Sequence, residues 1–404
     1  MAMDGKELVE KLAKLSQVQS IKDIPQLTHA LFPGTHCPLM GAAMAVGGIK
    51  DSLIVVVGTD ECTYYTKSMT IHSEKFGGID GRCVSVVLDD HDVTFGSAEK
   101  VQGAFKEIIE EYRPQCVFLV TTCVIEIIGD DFDAISEGLS ELYGIPVLPV
   151  HTEHFKCEDH LPGLERTITV CAEMMKSCDC ENSVNLLGQR MGDFATTELY
   201  AMLQKAGVKI GLQLPCGCSV DDIKNAAAAK VNIVVNDIAL PLAQKMQEKF
   251  GIPYVYFNKF VIPEKIYEAY KNLFVYLDLE LPGELEGLYQ NAREKIEKNK
   301  GELEGITYIY GNTPYAVFEM NCFLSSLGMV PQVIQTNRYT EADEPYAKEI
   351  LQYTDPYVCK AANIAPLQYV YDVLSPYLYL GHEFGNRLRQ KGIAIVHSDR
   401  ASGM

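Results

Sequence analysis

Short, nearly continuous apolar runs alternate along the chain with amphipathic segments of helical period. Such runs are typical of strands buried on both faces of a parallel sheet, and the segments between them are typical of the covering helices. The pattern repeats three times along the chain. The predicted strands are Ser52–Thr59, Cys83–Asp90, Cys116–Thr122 and Pro146–Thr152, then Ser183–Gln189, Val208–Leu214, Val231–Asn236 and Pro253–Asn258, then Ile306–Gly311, Val330–Thr336, Tyr377–His382 and Ile393–Ser398.

This pattern predicts an α/β protein built from three doubly wound, Rossmann-like domains with parallel sheets. The 404 residues exceed the roughly 250–300 at which a single core usually divides. Two polar stretches mark the boundaries, the linker Lys176–Asn182 and the Glu/Lys-rich helix Gly283–Leu303. The predicted domains are residues 1–180, 181–300 and 301–404.

Composition narrows the classes of function. The net charge is −19 and no Lys/Arg-rich run is present, so we expect no binding to nucleic acid. No apolar stretch reaches the roughly 18 residues of a membrane-spanning helix, and the N-terminus lacks the apolar run of a signal peptide. We therefore expect a cytoplasmic protein that does not enter a membrane. In that reducing compartment, the 13 cysteines are expected to be buried thiols, metal ligands or reactive thiols.

Three cysteines are predicted to meet at one edge of the first sheet. Cys62 and Cys123 follow the first and third predicted strands, and Cys37 lies in a Pro/Gly-rich loop before the first strand. Ligands of parallel sheets bind at this carboxyl edge, and helix starts there stabilise the anionic thiolates that hold iron–sulfur clusters. Position alone also fits three unrelated buried thiols. Cys83 and Cys116 begin strands and are expected to be core thiols.

Three groups of short sequence motifs, two of them at these cysteines, resemble one known family. They are Cys37-Pro38-Leu39-Met40-Gly41-Ala42 with Ala45–Asp51, Thr121-Thr122-Cys123 with Glu126–Asp131, and Val184–Gly188 with Val220–Ile223. Together they resemble the nitrogenase component 1 family, which includes nitrogenase, its cofactor-assembly scaffold and nitrogenase-like reductases. The family fold of three Rossmann-like domains agrees with the strand pattern.

The resemblance implies that Cys37, Cys62 and Cys123 are ligands of an iron–sulfur cluster, a 4Fe–4S or larger one, shared at a subunit interface. It implies a homodimer, or a heterodimer with a homologous chain. Three thiolates leave a four-iron cluster one ligand short, so a partner chain, a larger shared cluster or a non-cysteine ligand must complete the site. Non-cysteine candidates nearby are His36, Asp60 and Glu61.

A second partner is also implied, an ATP-hydrolysing iron–sulfur protein that resembles nitrogenase reductase. This chain has no complete Walker A or G-x-G-x-x-G motif, so we do not expect it to bind ATP itself. The resemblance therefore assigns ATP hydrolysis to the separate reductase.

A second metal or cofactor site is predicted from other loops that follow strands. Cys216 and Cys218 follow one strand, and Cys157 and His160 lie in a polar loop after another. With Gly311–Tyr315, these loops are predicted to converge on one cleft between domains. In that cleft, Cys157, Cys216 and Cys218 would bind metal, and His160 would be a catalytic proton donor. A solvated cleft with unligated thiols explains the same residues.

One departure from the resembled family limits the chemistry. Ala243 occupies the position at which nitrogen-reducing members carry the cysteine that anchors their active-site metal cluster. The late histidines, His382 and His397, lie in no matching motif. We therefore do not expect a permanently bound molybdenum–iron cofactor.

The function expected from these features is that of an enzyme component, a nitrogenase-like iron–sulfur oxidoreductase. It would accept low-potential electrons from the ATP-dependent reductase and pass them to a substrate or bound cofactor in the interdomain cleft. Two alternatives remain open. The chain is a scaffold for assembly of a complex metallocluster, or it is the cluster-bearing half of a heterodimeric reductase. The sequence names no substrate.

Overall fold

A computed structural model describes residues 4–27, 36–71, 79, 81–157, 159–189, 194–257, 261–311, 316–360, 364–381 and 385–396. The chain forms two compact units. The larger unit contains residues 35–258 and 271–280. The smaller unit contains residues 1–34, 259–270 and 281–404.

Strands and helices alternate along both units. The strands are β1 (Ala13–Lys14), β2 (Ile49–Lys50), β3 (Ser52–Gly58), β4 (Cys83–Val87), β5 (Cys116–Thr121), β6 (Val147–Val150), β7 (Ser183–Gln189), β8 (Lys209–Pro215), β9 (Cys218–Ser219), β10 (Val231–Val234), β11 (Tyr254–Tyr256), β12 (Thr307–Tyr310), β13 (Val330–Gln335), β14 (Tyr357–Cys359), β15 (Leu378–Leu380) and β16 (Ala394–Val396). The helices are α1 (Gly5–Glu10), α2 (Pro38–Gly47), α3 (Asp60–Ile71), α4 (Asp90–Phe95), α5 (Ala98–Tyr112), α6 (Cys123–Ile128), α7 (Phe132–Tyr143), α8 (Leu161–Val170), α9 (Glu198–Lys205), α10 (Val220–Lys224), α11 (Leu240–Phe250), α12 (Pro263–Leu277), α13 (Glu284–Leu303), α14 (Val317–Ser326), α15 (Glu344–Ile350), α16 (Ile364–Leu374) and α17 (Gly385–Gln390).

The larger unit contains two parallel four-stranded sheets. The strand order is β4-β3-β5-β6 in the first sheet and β11-β10-β7-β8 in the second. The central strands β3 and β5 are buried along their whole length, because helices cover both faces of the sheet. One hydrophobic core joins the two sheets and includes residues of α2, α8 and α11.

The smaller unit contains one six-stranded sheet of order β1-β14-β13-β12-β15-β16. It is parallel except for β1, which pairs antiparallel with β14. The N-terminal segment, predicted to begin the first domain, thus adds an edge strand to the third sheet instead.

The fold class predicted from the hydrophobic pattern is confirmed, and each predicted strand overlaps an observed one. The pattern missed β14, which directly follows Pro356, and the two-residue strands β1, β2 and β9. Parallel sheets align all their carboxyl ends at one edge. The confirmed pattern therefore also fixes which loops share an edge.

Two glycines allow α2 and α8 to pack closely in the larger unit. A Cβ on Gly41 would lie 1.9 Å from the backbone oxygen of His160, and a Cβ on Gly163 would lie 1.9 Å from that of Pro38. Only glycine permits such an approach of two backbones. The crossing brings the starts of α2 and α8, and the residues that precede them, close together.

Candidate functional site

Cys62 and Cys123 lie beside each other at the carboxyl edge of the first sheet. Strands β3 and β5 are neighbours in parallel register, with Val57 opposite Thr121. The hydroxyl of Thr122 donates a hydrogen bond of 2.9 Å to the backbone oxygen of Val57, which ties the two strand ends together. Burial raises the pKa of the Cys123 thiol, and the nearby thiol of Cys62 raises that pKa further. The two sulfurs therefore interact electrostatically.

Cys37 reaches the same edge from a different direction. It is the residue immediately before α2, and α2 ends at Gly47, shortly before β3 begins. The helix therefore runs back along the sheet, with Cys37 at the carboxyl edge and Gly47 at the amino edge. Both Cys37 and Cys62 are half-buried and pack against the core of the larger unit.

Helix starts surround these thiols with backbone N–H groups. Cys37 immediately precedes α2, Cys62 lies in the first turn of α3, and Cys123 is the first residue of α6. The hydroxyl of Thr59 also donates to the sulfur of Cys62 over 3.5 Å. N–H dipoles and hydroxyl donors stabilise thiolates, the form that binds metal.

A set of three cysteine thiols has the donor chemistry that iron–sulfur clusters use. Among the described residues, no three His, Cys, Asp or Glu side chains are grouped so that they could hold one metal ion. A single ion needs every sulfur within about 2.3 Å of one point, whereas each thiolate of a cluster binds a different iron atom. The three half-buried thiols lie on separate segments at one sheet edge, each at a helix start.

Glu126 connects the Cys123 helix to the loop that follows β6. Its carboxylate accepts hydrogen bonds from the Thr121 hydroxyl at 3.0 Å, the Thr152 hydroxyl at 2.9 Å and the His154 backbone at 3.0 Å. It also accepts one from the backbone N–H of Glu153. Sequence reasoning did not single out Glu126, because its partners other than Thr121 lie far along the chain and no local pattern marks them.

Cys157 and His160 also lie near this edge. The sulfur of Cys157 is 3.6 Å from the backbone oxygen of Thr152 and 3.6 Å from the guanidinium of Arg166. Burial raises the pKa of this thiol, and the Arg166 cation opposes that effect. The ring of His160 is 6.4 Å from that of His36, the neighbour of Cys37. The loop after β6 thus brings the His160 imidazole near His36, whereas the Cys157 thiol contacts Thr152 and Arg166.

Cys216 and Cys218, in contrast, lie at the other end of α2. The backbone N–H of Gly217 donates to the oxygen of Gly48 over 3.0 Å, and Cys218 pairs with Ile49 in the two-stranded sheet of β2 and β9. A helix of ten residues is about 15 Å long. These two cysteines are therefore at the amino edge of the first sheet.

The predicted convergence of Cys157 with Cys216 and Cys218 is therefore wrong. The carboxyl end of β8 packs against the amino edge of the first sheet, while Cys157 follows the carboxyl end of β6. Cys218 instead lies near the buried thiols of Cys171 and Cys116. The proximity is indicated by the pKa of Cys171, which both Cys116 and Cys218 raise electrostatically. Burial raises the pKa of Cys218 to about 12, as expected for a core thiol.

The other residues singled out in the sequence lie in the core or in the undescribed part of the chain. Cys83 and Cys116 are buried, and burial raises their pKa values to about 11 and about 12. Ala243 is buried in α11 within the core of the larger unit. Most of the Gly311–Tyr315 loop, His382 and His397 lie outside the described residues.

Large apolar side chains are exposed around the three-cysteine edge. Tyr64 and Tyr65 follow Cys62 on α3, Ile127 follows Glu126 on α6, and Phe155 lies in the loop after β6. Tyr64 and Ile127 are each 73% exposed and Phe155 is 68% exposed. Exposed apolar groups around a half-buried site are typical of a surface that a partner covers. None of the described helices is both long and apolar enough to span a membrane.

Comparison with known proteins identifies the family. Residues 37–402 match the model of the nitrogenase component 1 type oxidoreductases. The chain is 31% identical over 224 residues to the nitrogenase iron–molybdenum cofactor biosynthesis protein NifE of Clostridium pasteurianum, covering 54% of this chain and 49% of that relative. It is 25% identical over 331 residues to NifE of Rippkaea orientalis, covering 78% and 69% of the two chains.

Two further matches agree with the family match. The nitrogenase molybdenum–iron protein alpha chain of Methanosarcina barkeri is 24% identical over 332 residues, or 78% of this chain and 62% of that one. A solved structure, nitrogenase Cp1 at pH 6.5, superposes with a TM-score of 0.75 at 15% identity and covers 93% of this chain and 87% of that one. This chain thus spans about half to two thirds of the length of these sequence relatives. The chain belongs to the nitrogenase component 1 type oxidoreductase family.

Proposed function

We propose that this chain is the cluster-bearing component of a nitrogenase-like oxidoreductase of the cytoplasm, with Cys37, Cys62 and Cys123 as the ligands of an iron–sulfur cluster. The observation that carries the proposal is the placement of three half-buried thiols from separate segments at one sheet edge, each at a helix start. When bound, such a cluster accepts and releases single electrons.

The protein side of this function is to hold three thiols at one sheet edge, partly shielded from water. Because burial raises the pKa of Cys123, binding of metal at this thiol must release its proton. The N–H groups at the helix starts and the Thr59 hydroxyl offset the cost of that negative charge. His160 stands beside the site and is the proposed proton donor during reduction.

The partners in this proposal follow from the edge that holds the cysteines. A homologous chain, either a second copy or a distinct subunit, would cover Tyr64, Ile127 and Phe155 and complete the ligand set of the cluster. A separate ATP-hydrolysing iron–sulfur reductase would deliver the electrons.

Electron delivery can be tested directly. The chain would be purified without oxygen, its cluster reconstituted, and the cluster absorption followed with a nitrogenase reductase in the presence of ATP or of a non-hydrolysable analogue. Reduction that needs ATP hydrolysis supports the proposal. A cluster that dithionite reduces but that neither the reductase nor ATP affects would contradict it.

A scaffold for metallocluster assembly is the second candidate function. It is favoured by the buried Ala243 in α11, which offers no ligand for a permanent second cluster, and by the similarity to the two NifE proteins. A scaffold should give up a loaded cluster to an acceptor apoprotein, whereas an electron carrier should retain it. Transfer of labelled iron to an acceptor, measured after separation of the two proteins, distinguishes these functions.

A further inference from the structure

We infer that Glu126 is a positioning residue that holds the Cys123 helix and the Thr152–Cys157 loop in one fixed arrangement. The inference rests on the proposed function, because it concerns the surroundings of a proposed cluster ligand. Glu126 lies one helical turn after Cys123, and its carboxylate reaches the loop after β6. It therefore links two segments that border the same sheet edge.

Every partner of this carboxylate is a hydrogen-bond donor. Two are threonine hydroxyls, from Thr121 and Thr152, and two are backbone N–H groups, from Glu153 and His154. An ionised carboxylate only accepts hydrogen bonds, so it satisfies all four donors. A glutamine would place an NH₂ group against donors, and those contacts would be lost although the side chain has the same shape.

The backbone that Glu126 holds is strained. Glu153 has a φ of 45°, a left-handed conformation that non-glycine residues rarely adopt. Such a conformation persists only where neighbouring contacts fix it. The hydrogen bonds from Glu153 and His154 to Glu126 supply that restraint.

The restraint continues to Cys157. The Glu153 carboxylate binds Arg166 at 2.5 Å, and Arg166 donates to the backbone oxygen of Thr152 at 2.5 Å and contacts the sulfur of Cys157 at 3.6 Å. One connected network thus runs from the helix of Cys123 to the thiol of Cys157. Loss of Glu126 should release the loop and change the polar surroundings of the nearby cluster together.

The test compares Glu126→Gln with the control Glu137→Gln in the full chain. Glu137 is exposed on α7, and its substitution removes the same charge from the same unit. Hydrogen exchange of the metal-free protein should be at least about tenfold faster at residues 152–157 in Glu126→Gln alone. After reconstitution, the electron paramagnetic resonance signal of the reduced cluster should shift in Glu126→Gln and stay unchanged in Glu137→Gln.

A milder variant, Thr152→Val, keeps the carboxylate and removes one donor, so its effects should have the same direction and be smaller. Unchanged hydrogen exchange in Glu126→Gln would overturn the inference. Faster exchange with an unchanged electron paramagnetic resonance signal would also overturn it, because the loop would then not act on the cluster. If Glu126→Gln does not fold, unchanged exchange and signal in Thr152→Val would overturn it. A wild-type chain that takes up no iron would refute the proposed function, and a cluster that forms normally while Glu126→Gln changes nothing would refute only this inference.

Discussion

Burial and position separate two sets of cysteines in the larger unit. Cys116, Cys171 and Cys218 are buried together, and desolvation raises their thiol pKa values, so they are unreactive at neutral pH. Cys37, Cys62 and Cys123 are half-buried and lie at helix starts. The second set combines partial access with the backbone N–H groups of helix starts.

A buried carboxyl group makes the stability of the smaller unit depend on pH. Glu319 on α14 is 4% exposed, and its Oε1 has no hydrogen-bond partner. Burial raises its pKa to about 7, while the Lys265 cation and the Val261 N–H oppose that rise. The titratable groups around it are Lys265 of α12, Cys322 of α14, and Tyr346 and Glu349 of α15.

The sign of the effect follows from the raised pKa. The folded state disfavours ionised Glu319, so the penalty is absent below the ordinary pKa of 4.5 and complete above about 7. Glu319→Gln should therefore gain stability relative to the wild type as the pH rises from 5 to 8, by at most about 3 kcal/mol. Urea unfolding across this range measures the difference. A pH-independent difference, equal to that of the exposed control Glu302→Gln, would contradict this account.

At the scale of elements, the crossing of α2 and α8 holds Cys37 at the sheet edge. A Cβ on Gly41 would overlap the backbone of His160 and Leu164, at 1.9 Å and 2.7 Å. Gly41→Ala should therefore destabilise the chain by about 1–3 kcal/mol, and because the helices must separate, iron uptake should fall as well. Denaturant unfolding and iron analysis measure the two effects.

The control for this prediction is Gly138→Ala on α7. Apart from its chain neighbours and the backbone of its own helix, no atom lies within 4 Å of a Cβ built there. Alanine at an exposed position in a helix should stabilise the chain by about 0.5–1 kcal/mol and leave iron uptake unchanged. Equal effects of the two substitutions would show that the crossing does not position Cys37.

Strand periodicity predicted the elements and the edge that holds Cys37, Cys62 and Cys123, because both follow from the order of apolar runs within one sheet. It could not predict how the second sheet packs on the first. The pairing of Ile49 with Cys218 depends on the close contact of Gly48 with Pro215, which no local pattern encodes. For the same reason, strand periodicity did not reveal Glu126, whose role depends on contacts with a loop 26 to 28 residues away.

At the scale of the whole molecule, the exposed apolar residues around the cluster edge predict a dimer. Tyr64, Ile127 and Phe155 should be buried in the assembly, where they would contribute to a stable interface. The double variant Tyr64→Ser/Ile127→Ser should weaken association by at least about tenfold, measured by anaerobic analytical ultracentrifugation. The control double variant Leu142→Ser/Val275→Ser changes two apolar residues that are exposed elsewhere on the larger unit. It should not change the strength of association. A cluster-loaded monomer of the wild type would contradict the prediction.

The measurement that tests the central claim most directly is the iron content of the chain and of three variants after anaerobic cluster reconstitution. The wild type and Cys83→Ala should bind the same amount of iron and show the same thiolate-to-iron absorption, because Cys83 is a core thiol at the opposite edge of the sheet. Cys62→Ala and Cys123→Ala should each lose most of both signals. A wild type without iron, or an equal loss in Cys83→Ala, would contradict the assignment of Cys37, Cys62 and Cys123 as the ligands.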